Sequence, residues 1–116
     1  MLRNAVKPLY LADSPHRAEI PGRSIDMALA LGPIALAFQS QALASRPDQT
    51  AILAGFKAPT LVLMGEHDIP CPKSRHDLMH AMMPQSRLVV IRGAGHLPTL
   101  EKPLETTVAL RRWLED

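Results

Sequence analysis

The stretch Ala58-Pro-Thr-Leu-Val-Leu-Met-Gly-Glu-His-Asp68 decides how the chain is organised. Its apolar centre, Thr60 to Met64, starts with a β-branched residue and has the length of a buried strand. A second run of the same type is Arg87-Leu-Val-Val-Ile91. The segment between them, from Pro72 to Met83, has helical spacing and is closed by Pro84. Strand, helix and strand predict one right-handed crossover unit with two parallel strands.

Helices are predicted on both sides of this unit. From Ser24 to Ser45 the apolar spacing is helical, and Gly32-Pro33 is expected to divide the segment, because Pro33 lacks an N–H and suits the first turn of a new helix. Asp48 is expected to cap a short segment through Leu53. A last helix is predicted from Pro103 to about Leu114. The apolar faces expected on the crossover helix and the last helix are Leu78, Met79 and Met82, and Leu110, Trp113 and Leu114.

Both predicted strands end in a loop that carries a titratable residue. The first leaves through Gly65-Glu66-His67-Asp68 and the second through Arg92-Gly93-Ala94-Gly95-His96. Functional groups collect at the carboxyl ends of parallel strands, so we expect Asp68 and His96 to lie within hydrogen-bonding reach. The two glycines of the second loop are expected to let it turn tightly enough to aim the ring. A carboxylate on one imidazole nitrogen fixes the tautomer and directs the other nitrogen to a nucleophile.

These stretches resemble the α/β-hydrolase superfamily. The first is similar to its penultimate strand and acid loop, and Pro84 to Pro98, with Gly-Ala-Gly-His-Leu-Pro at its end, is similar to its last strand and histidine loop. Leu100-Glu-Lys-Pro103, leading into a helix that ends Arg-Arg-Trp-Leu, resembles the closing helix. Gln39 to Asp48 resembles the end of the helical cap. The resemblance covers residues 25 to 116.

The resemblance implies an α/β fold with a specific layout. The chain would be the C-terminal portion of an α/β-hydrolase fold, with two parallel strands, flanking helices and an N-terminal helical cap remnant. Residues 1–56 would be a partial helical cap region, and residues 57–116 the C-terminal strand-helix-strand-helix part of the core. Two parallel strands are too little sheet to bury both faces, so something is expected to cover them.

The resemblance also implies a catalytic pair. Asp68 would be the acid and His96 the general base of a hydrolase that acts on an ester, amide or related acyl bond of a small-molecule substrate. The family order of nucleophile, acid and base agrees, since the acid precedes the base here. No G-x-S-x-G string occurs in the 116 residues, and its nearest echo, Gly22-Arg-Ser24-Ile-Asp26, follows no predicted strand. The nucleophile is therefore expected on a missing part of the domain. The chain itself is expected to need a missing N-terminal half or a second copy of the chain to complete its fold. The alternative is a non-catalytic truncated remnant or interaction module.

Composition excludes several other classes. A net charge of +2 with one Trp, one Tyr and two Phe argues against a nucleic-acid groove. The longest apolar stretch, Met27 to Phe38, is too short to cross a bilayer, and the N-terminus is not a signal peptide, so no membrane is expected. A single cysteine cannot form an intramolecular disulfide, which favours the cytoplasm. Residues 1 to about 23 lack periodicity and are expected to be irregular or weakly helical.

Other reactive side chains have ordinary explanations. His76 and His80 are four residues apart but lack a zincin glutamate and a third ligand, so no metal is expected. Cys71 has nothing basic fixed beside it in sequence, which argues against a reactive thiol. Asp68 taken alone would more often cap a turn. No cofactor is implied.

Overall fold

The computed structural model describes residues 11–12 and 15–115. After a short 3₁₀ helix, Pro15–Ala18, the described part contains five α-helices and two strands. In chain order these are α1 (Ile20–Ala44), α2 (Thr50–Gly55), β1 (Thr60–Gly65), α3 (Lys73–Met82), β2 (Ser86–Ile91), α4 (Pro98–Glu101) and α5 (Pro103–Glu115). The chain is therefore an α/β protein, as the sequence predicts, although α4 was not predicted.

The two strands form one parallel sheet. Thr60 lies opposite Ser86 at the start, and Gly65 lies opposite Ile91 at the end, so both strands finish at the same edge. Helix α3 connects them and packs against both strands. The predicted crossover unit is thus confirmed, with each strand within one residue of its predicted bounds.

A small apolar core lies between this sheet and α5. Ile91, Ala94 and Ala109 are buried together, with Leu63 and Val89 packed against them. The small side chain of Ala109 lets α5 approach the end of β2 closely. The core therefore holds the closing helix next to the loop that follows β2.

Helix α1 starts earlier than predicted and bends where predicted. The sequence indicated a helix from Ser24, whereas α1 begins at Ile20, with Pro21 in its first turn. At Gly32 the backbone leaves helical geometry, with φ 78° and ψ 166°, and the helix resumes at Pro33. Up to residue 23 the sequence predicted an irregular or weakly helical segment, and residues 15–18 and 20–23 are helical; residues 1–10 and 13–14 lie outside the described residues.

The surface of α1 is largely apolar and uncovered. Only Ile20 and Ala28 are buried along its 25 residues. Its large exposed side chains are Met27, Leu29, Leu31, Ile34, Phe38 and Leu43. By length and composition α1 could cross a membrane, and it is the one helix of this kind among the described residues. The apolar stretch Met27 to Phe38 noted in the sequence is shorter than this helix. Core helices of soluble proteins and signal sequences meet the same criterion of length and composition. The absence of a membrane-spanning segment therefore stays a prediction.

The faces of α3 and α5 differ from those predicted. In α3 the buried side chain is His76, while Leu78 is 56% exposed. In α5 the buried positions are Thr106 and Ala109, three residues apart, while Leu114 is 74% exposed. Helix α5 meets the sheet through its smaller side chains, because these allow close approach to the core. Of the residues predicted for the two apolar faces, Leu78, Leu110 and Leu114 are exposed, whereas Met79, Met82 and Trp113 are partly buried.

Asp48 binds the first residue of α2 but is not its N-cap, which is Gln49 and makes no side-chain cap bond, so the predicted cap is only partly right. Its carboxylate accepts hydrogen bonds from the hydroxyl and the backbone N–H of Thr50. The hydroxyl, and then the N–H, hold the pKa of Asp48 below its ordinary value. Helix α2 contacts α3, so these hydrogen bonds lie at the junction between the predicted helical cap region and the predicted core. The boundary between residues 56 and 57 itself stays a prediction.

Candidate active site

The two loops after β1 and β2 are joined by backbone hydrogen bonds. The N–H of Glu66 donates to the carbonyl of Ile91 at 2.9 Å, and the N–H of His67 donates to the carbonyl of Ala94 at 2.8 Å. In the other direction, the N–H of Gly93 donates to the carboxylate of Glu66 at 2.9 Å. These bonds extend the pairing of the strands past their ends. The loops therefore hold a fixed position relative to each other.

Asp68 and His96 meet on this joined pair of loops. Nδ1 of His96 donates to the carboxylate of Asp68, whose two oxygens lie 3.0 and 3.1 Å from it. The Asp68 side chain is 6% exposed, whereas that of His96 is 36% exposed. A nearly buried carboxylate thus orients an imidazole that reaches the surface. The sequence predicted this contact, and the structure has it.

Asp68 also fulfils the ordinary role considered for it. Its Oδ1 accepts the backbone N–H of Cys71 at 2.9 Å, which closes the turn that follows β1. The two roles support each other, because the turn fixes the carboxylate that receives the histidine. Capping and ring orientation are therefore both present in one side chain.

The buried side chain of Glu101 holds the histidine loop in place, a role that was not predicted from the sequence. Its side chain is 1% exposed. Oε2 accepts the N–H of Gly95 at 2.9 Å and that of Ala12 at 2.7 Å, and Oε1 accepts the N–H of Leu97 at 3.0 Å. The residues on either side of His96 thus donate to the same carboxylate. Three donors offset the cost of burying the charge, and they set the backbone from which the ring projects.

One glycine permits the close approach of the two loops. A Cβ built on Gly65 would lie 2.0 Å from the carbonyl oxygen of Gly95 and 2.5 Å from that of Ala94. Both are backbone atoms, so no side-chain rotation relieves the overlap. Position 65 therefore requires glycine for the histidine loop to lie where it does.

The two loop glycines differ in what they contribute. Gly93 has φ 65°, a left-handed conformation that favours glycine, as expected for the tight turn. Gly95 does not have a positive φ. Its contribution is the N–H that binds Glu101 and the carbonyl that lies against Gly65. The expectation that the glycines let the loop turn tightly is confirmed for Gly93 and stays a prediction for Gly95.

The remaining side chains considered in the sequence lie in other settings. Ser24 is inside α1, and its hydroxyl donates to the carbonyl of Ile20, which is not the strand-to-helix turn of a nucleophile. His76 and His80 do not form a pair: the first bonds the carbonyl of Pro72 and the second the hydroxyl of Ser86.

Cys71 has a neighbour in the fold that its sequence position does not indicate. Ligand atoms of Asp68, Cys71 and His96 lie within 4.8 Å of one another, while the absence of a reactive thiol stays a prediction. The neighbour comes from the other strand, 25 positions along the chain, where sequence proximity gives no signal.

Several solved structures resemble this chain. No protein-family model matches the chain, and no curated protein matches it. Among solved structures, a thermophilic esterase from Thermogutta terrifontis with malate bound matches with a TM-score of 0.88 and 35% identity, over 98% of this chain and 43% of that chain. An enol-lactonase from Burkholderia xenovorans LB400 matches with a TM-score of 0.84 and 20% identity, over 99% of this chain and 44% of that one. A bromoperoxidase from Bacillus anthracis matches with a TM-score of 0.80 and 23% identity, over 99% and 43%.

The fold and these matches define the class. Two parallel strands that end in joined loops, with helices around them, form the C-terminal part of an α/β-hydrolase fold. The chain belongs to the α/β-hydrolase superfamily and spans less than half the length of the three solved proteins that it matches.

A methyl group at position 65 should separate the two loops. We expect Gly65→Ala to lower the free energy of unfolding by about 1–3 kcal/mol, since backbone must shift to relieve the overlap. The Nδ1 proton signal of His96 in the NMR spectrum should weaken or move, because the distance to Asp68 increases. Gly55→Ala is the matched control, as nothing lies within 4 Å of a Cβ there. Equal stability of the two variants would contradict this account of Gly65.

Removing the charge of Glu101 should loosen the histidine loop. We expect Glu101→Gln to destabilise the chain by roughly 2 kcal/mol, because an amide presents a donor to N–H groups that need acceptors. Hydrogen exchange at the N–H groups of Gly95 and Leu97 should accelerate. The exposed Glu105, in the first turn of α5, supplies the control variant Glu105→Gln. Unchanged exchange at both amides would show that Glu101 does not hold the loop.

Proposed function

We propose that Asp68 and His96 are the acid and base of a hydrolase that cleaves an ester or related acyl bond. The observation that carries the proposal is the bond from Nδ1 of His96 to a carboxylate that is 6% exposed. A buried carboxylate in this position holds one tautomer and stabilises the imidazolium that forms when the ring takes a proton. No cofactor is needed for this chemistry.

The proposed reaction is a two-stage acyl transfer. Nε2 of His96 accepts the hydroxyl proton of a serine as its oxygen attacks the substrate carbonyl, and the imidazolium then protonates the leaving group. In the second stage the same nitrogen takes a proton from water as the water oxygen attacks the acyl carbon, and the imidazolium returns that proton to the serine oxygen as the acid leaves. Asp68 stays ionised throughout. Its turn with Cys71 and the Glu101 contacts keep the pair aligned while the charge on the ring changes.

The serine and the donors for the oxyanion would come from a part of the fold outside these 116 residues. The absence of a G-x-S-x-G string in the sequence supports this, as does the share of about 43% of the esterase chain that is covered. We propose that this part covers the exposed apolar side of α1 and the free faces of the sheet. It would belong to the same polypeptide or to a separate one, because a second copy of these 116 residues also lacks the G-x-S-x-G string.

The substrate class proposed is a small carboxylic ester, including a cyclic one. The match at 35% identity is to an esterase, and one of the more distant matches is to an enol-lactonase. Both names describe acyl bonds to oxygen. For the compartment we propose the cytoplasm, because the single cysteine offers no structural disulfide.

A non-catalytic role is the second candidate. The observation that favours it is the extent of uncovered apolar surface on α1, where Ile34 is 73% and Phe38 is 68% exposed. In that case the same surface would bind a partner, and the Asp68–His96 pair would be a remnant without a nucleophile. Catalysis that depends on His96 separates the two candidates.

The test is a chimera with the thermophilic esterase. These 116 residues replace the part of that enzyme on which they superimpose, and hydrolysis of a short p-nitrophenyl ester is measured. We expect His96→Ala and Asp68→Asn to lower kcat by roughly 10⁴-fold each, since the base or its orientation is lost. The matched control is His67→Ala, an exposed histidine on the same pair of loops, which should leave kcat unchanged.

Three outcomes decide between the candidates. Activity that falls with both variants and not with the control supports the hydrolase. A folded chimera that is inactive, or active without His96, overturns it and favours the non-catalytic role. Sequencing the DNA upstream of Met1 adds an independent check, since an open frame with a strand followed by G-x-S-x-G would supply the nucleophile.

A further inference from the structure

A thiol lies beside the acid and base of the candidate active site. One ligand atom each from Asp68, Cys71 and His96 lies within 4.8 Å of the other two, and all three residues are partly buried. Within residues 11–12 and 15–115 this is the one group of three metal-ligating residues of this kind. Cys71 is also the only cysteine in the sequence.

We propose that Asp68, Cys71 and His96 form a binding site for a thiophilic divalent cation, with Zn²⁺ as the best fit. Carboxylate, thiolate and imidazole are the three side-chain types that Zn²⁺ takes as ligands, at about 2.0–2.3 Å. A tetrahedral ion with such bonds separates its nitrogen and oxygen ligands by about 3.3 Å. Nδ1 of His96 and Oδ1 of Asp68 are already 3.0 Å apart, so they need to open only slightly.

The two loops are prepared for such an ion by contacts that do not involve the ligand atoms of Cys71 and His96. The N–H of Cys71 donates to Asp68 at 2.9 Å, which places the thiol on the same turn as the carboxylate. Glu101 fixes the backbone on either side of His96. The ion therefore meets ligands on a rigid frame, and small rotations of three side chains complete the site. Three protein ligands leave the fourth position to water.

Other candidate ligand groups in the described residues lack one of these elements. His76 and His80 bond different partners, Pro72 and Ser86, and have no third ligand. Glu66 and His67 form an exposed pair at 3.6 Å, again without a third group. The Asp68–Cys71–His96 site alone joins a sulfur to a nitrogen and an oxygen.

The protons balance as follows when the ion binds. The thiol of Cys71 loses its proton to solvent and becomes a thiolate, while the proton on Nδ1 of His96 moves to Nε2 of the same ring. The Zn²⁺ ion then faces one carboxylate and one thiolate, so the site is neutral. Because one proton is released, binding tightens as the pH rises.

An ion at this site would regulate the proposed hydrolase, and this consequence rests on the proposed function. A ring with the metal on Nδ1 carries its proton on Nε2, the atom that would accept the proton of the serine. Zn²⁺ is then a reversible inhibitor that a chelator removes. The occupied site and the catalytic pair exclude each other.

Binding is tested on the 116-residue chain with metal ions as probes. We expect one Co²⁺ per chain with a thiolate-to-cobalt charge-transfer band in the near ultraviolet, and displacement of Co²⁺ by Zn²⁺. Cys71→Ser should remove the band, and both Cys71→Ser and His96→Gln should weaken Zn²⁺ binding by at least about tenfold in competition with a chromophoric chelator. Circular dichroism of both variants checks that the fold is retained.

The controls are two histidines outside the site. His67→Gln and His80→Gln should keep both the band and the affinity. An absent charge-transfer band, or Zn²⁺ binding that is equal in the parent chain and in Cys71→Ser, overturns the proposed site. Loss of affinity in a control as large as in His96→Gln would also overturn it.

Measurements in the esterase chimera separate this proposal from the proposed function. Zn²⁺ binding that requires Cys71 in a chimera without His96-dependent activity leaves the site in place and overturns the hydrolase. Activity that requires His96, with Zn²⁺ inhibition unchanged by Cys71→Ser, leaves the hydrolase in place and overturns the site. Inhibition that is relieved by a chelator and lost with Cys71→Ser supports both.

Discussion

The arrangement depends on the contact between two backbone segments at the end of the sheet. Gly65 lies directly against the carbonyl groups of Ala94 and Gly95. Without this contact, the hydrogen bonds from Glu66 and His67 to the second loop could not form at their present lengths. The pairing of Asp68 with His96 follows from it, since each side chain is carried by one of the two loops. The geometry of the side chains is thus set by the main chain.

The buried carboxylate of Glu101 adds a second constraint on the histidine loop to the one that Gly65 imposes. Backbone contact fixes how far apart the loops are, and Glu101 fixes the direction in which the histidine loop turns. The unpredicted helix α4 serves this purpose, because Pro98 at its start and Glu101 at its end bring the carboxylate back under the loop. A surface imidazole is in this way supported by a buried charge. The same rigidity would give a metal ion and a catalytic base equally well-defined surroundings.

The sequence predicted those parts of the fold that have local patterns. Two apolar runs of strand length and the helix between them specify the crossover unit, and the rule for parallel strands then brings Asp68 to His96. The division of α1 at Gly32 likewise follows from the chemistry of Pro33. Such features need only neighbouring residues and one topological rule.

The features that the sequence did not predict depend on distant contacts. Glu101 binds backbone N–H groups, which every residue except proline has, so no partner residue type in the sequence indicates its structural role. The one indication of that role is the position of a carboxylate among apolar residues and prolines. Cys71 gains its neighbour from the other strand. The predicted faces of α3 and α5 were only partly right, because apolar residue type shows which side chains can be buried and not which ones a neighbouring element covers. Leu78 and Leu114 are exposed, whereas His76 and Ala109 are buried.

One bond reaches across almost the whole chain. The N–H of Ala12 donates to the same oxygen of Glu101 that receives Gly95, although 89 positions separate Ala12 from Glu101. Ala12 lies ahead of α1, in the predicted helical cap region, whereas Gly95 precedes His96. One carboxylate oxygen of Glu101 therefore ties the segment ahead of α1 to the loop that carries His96.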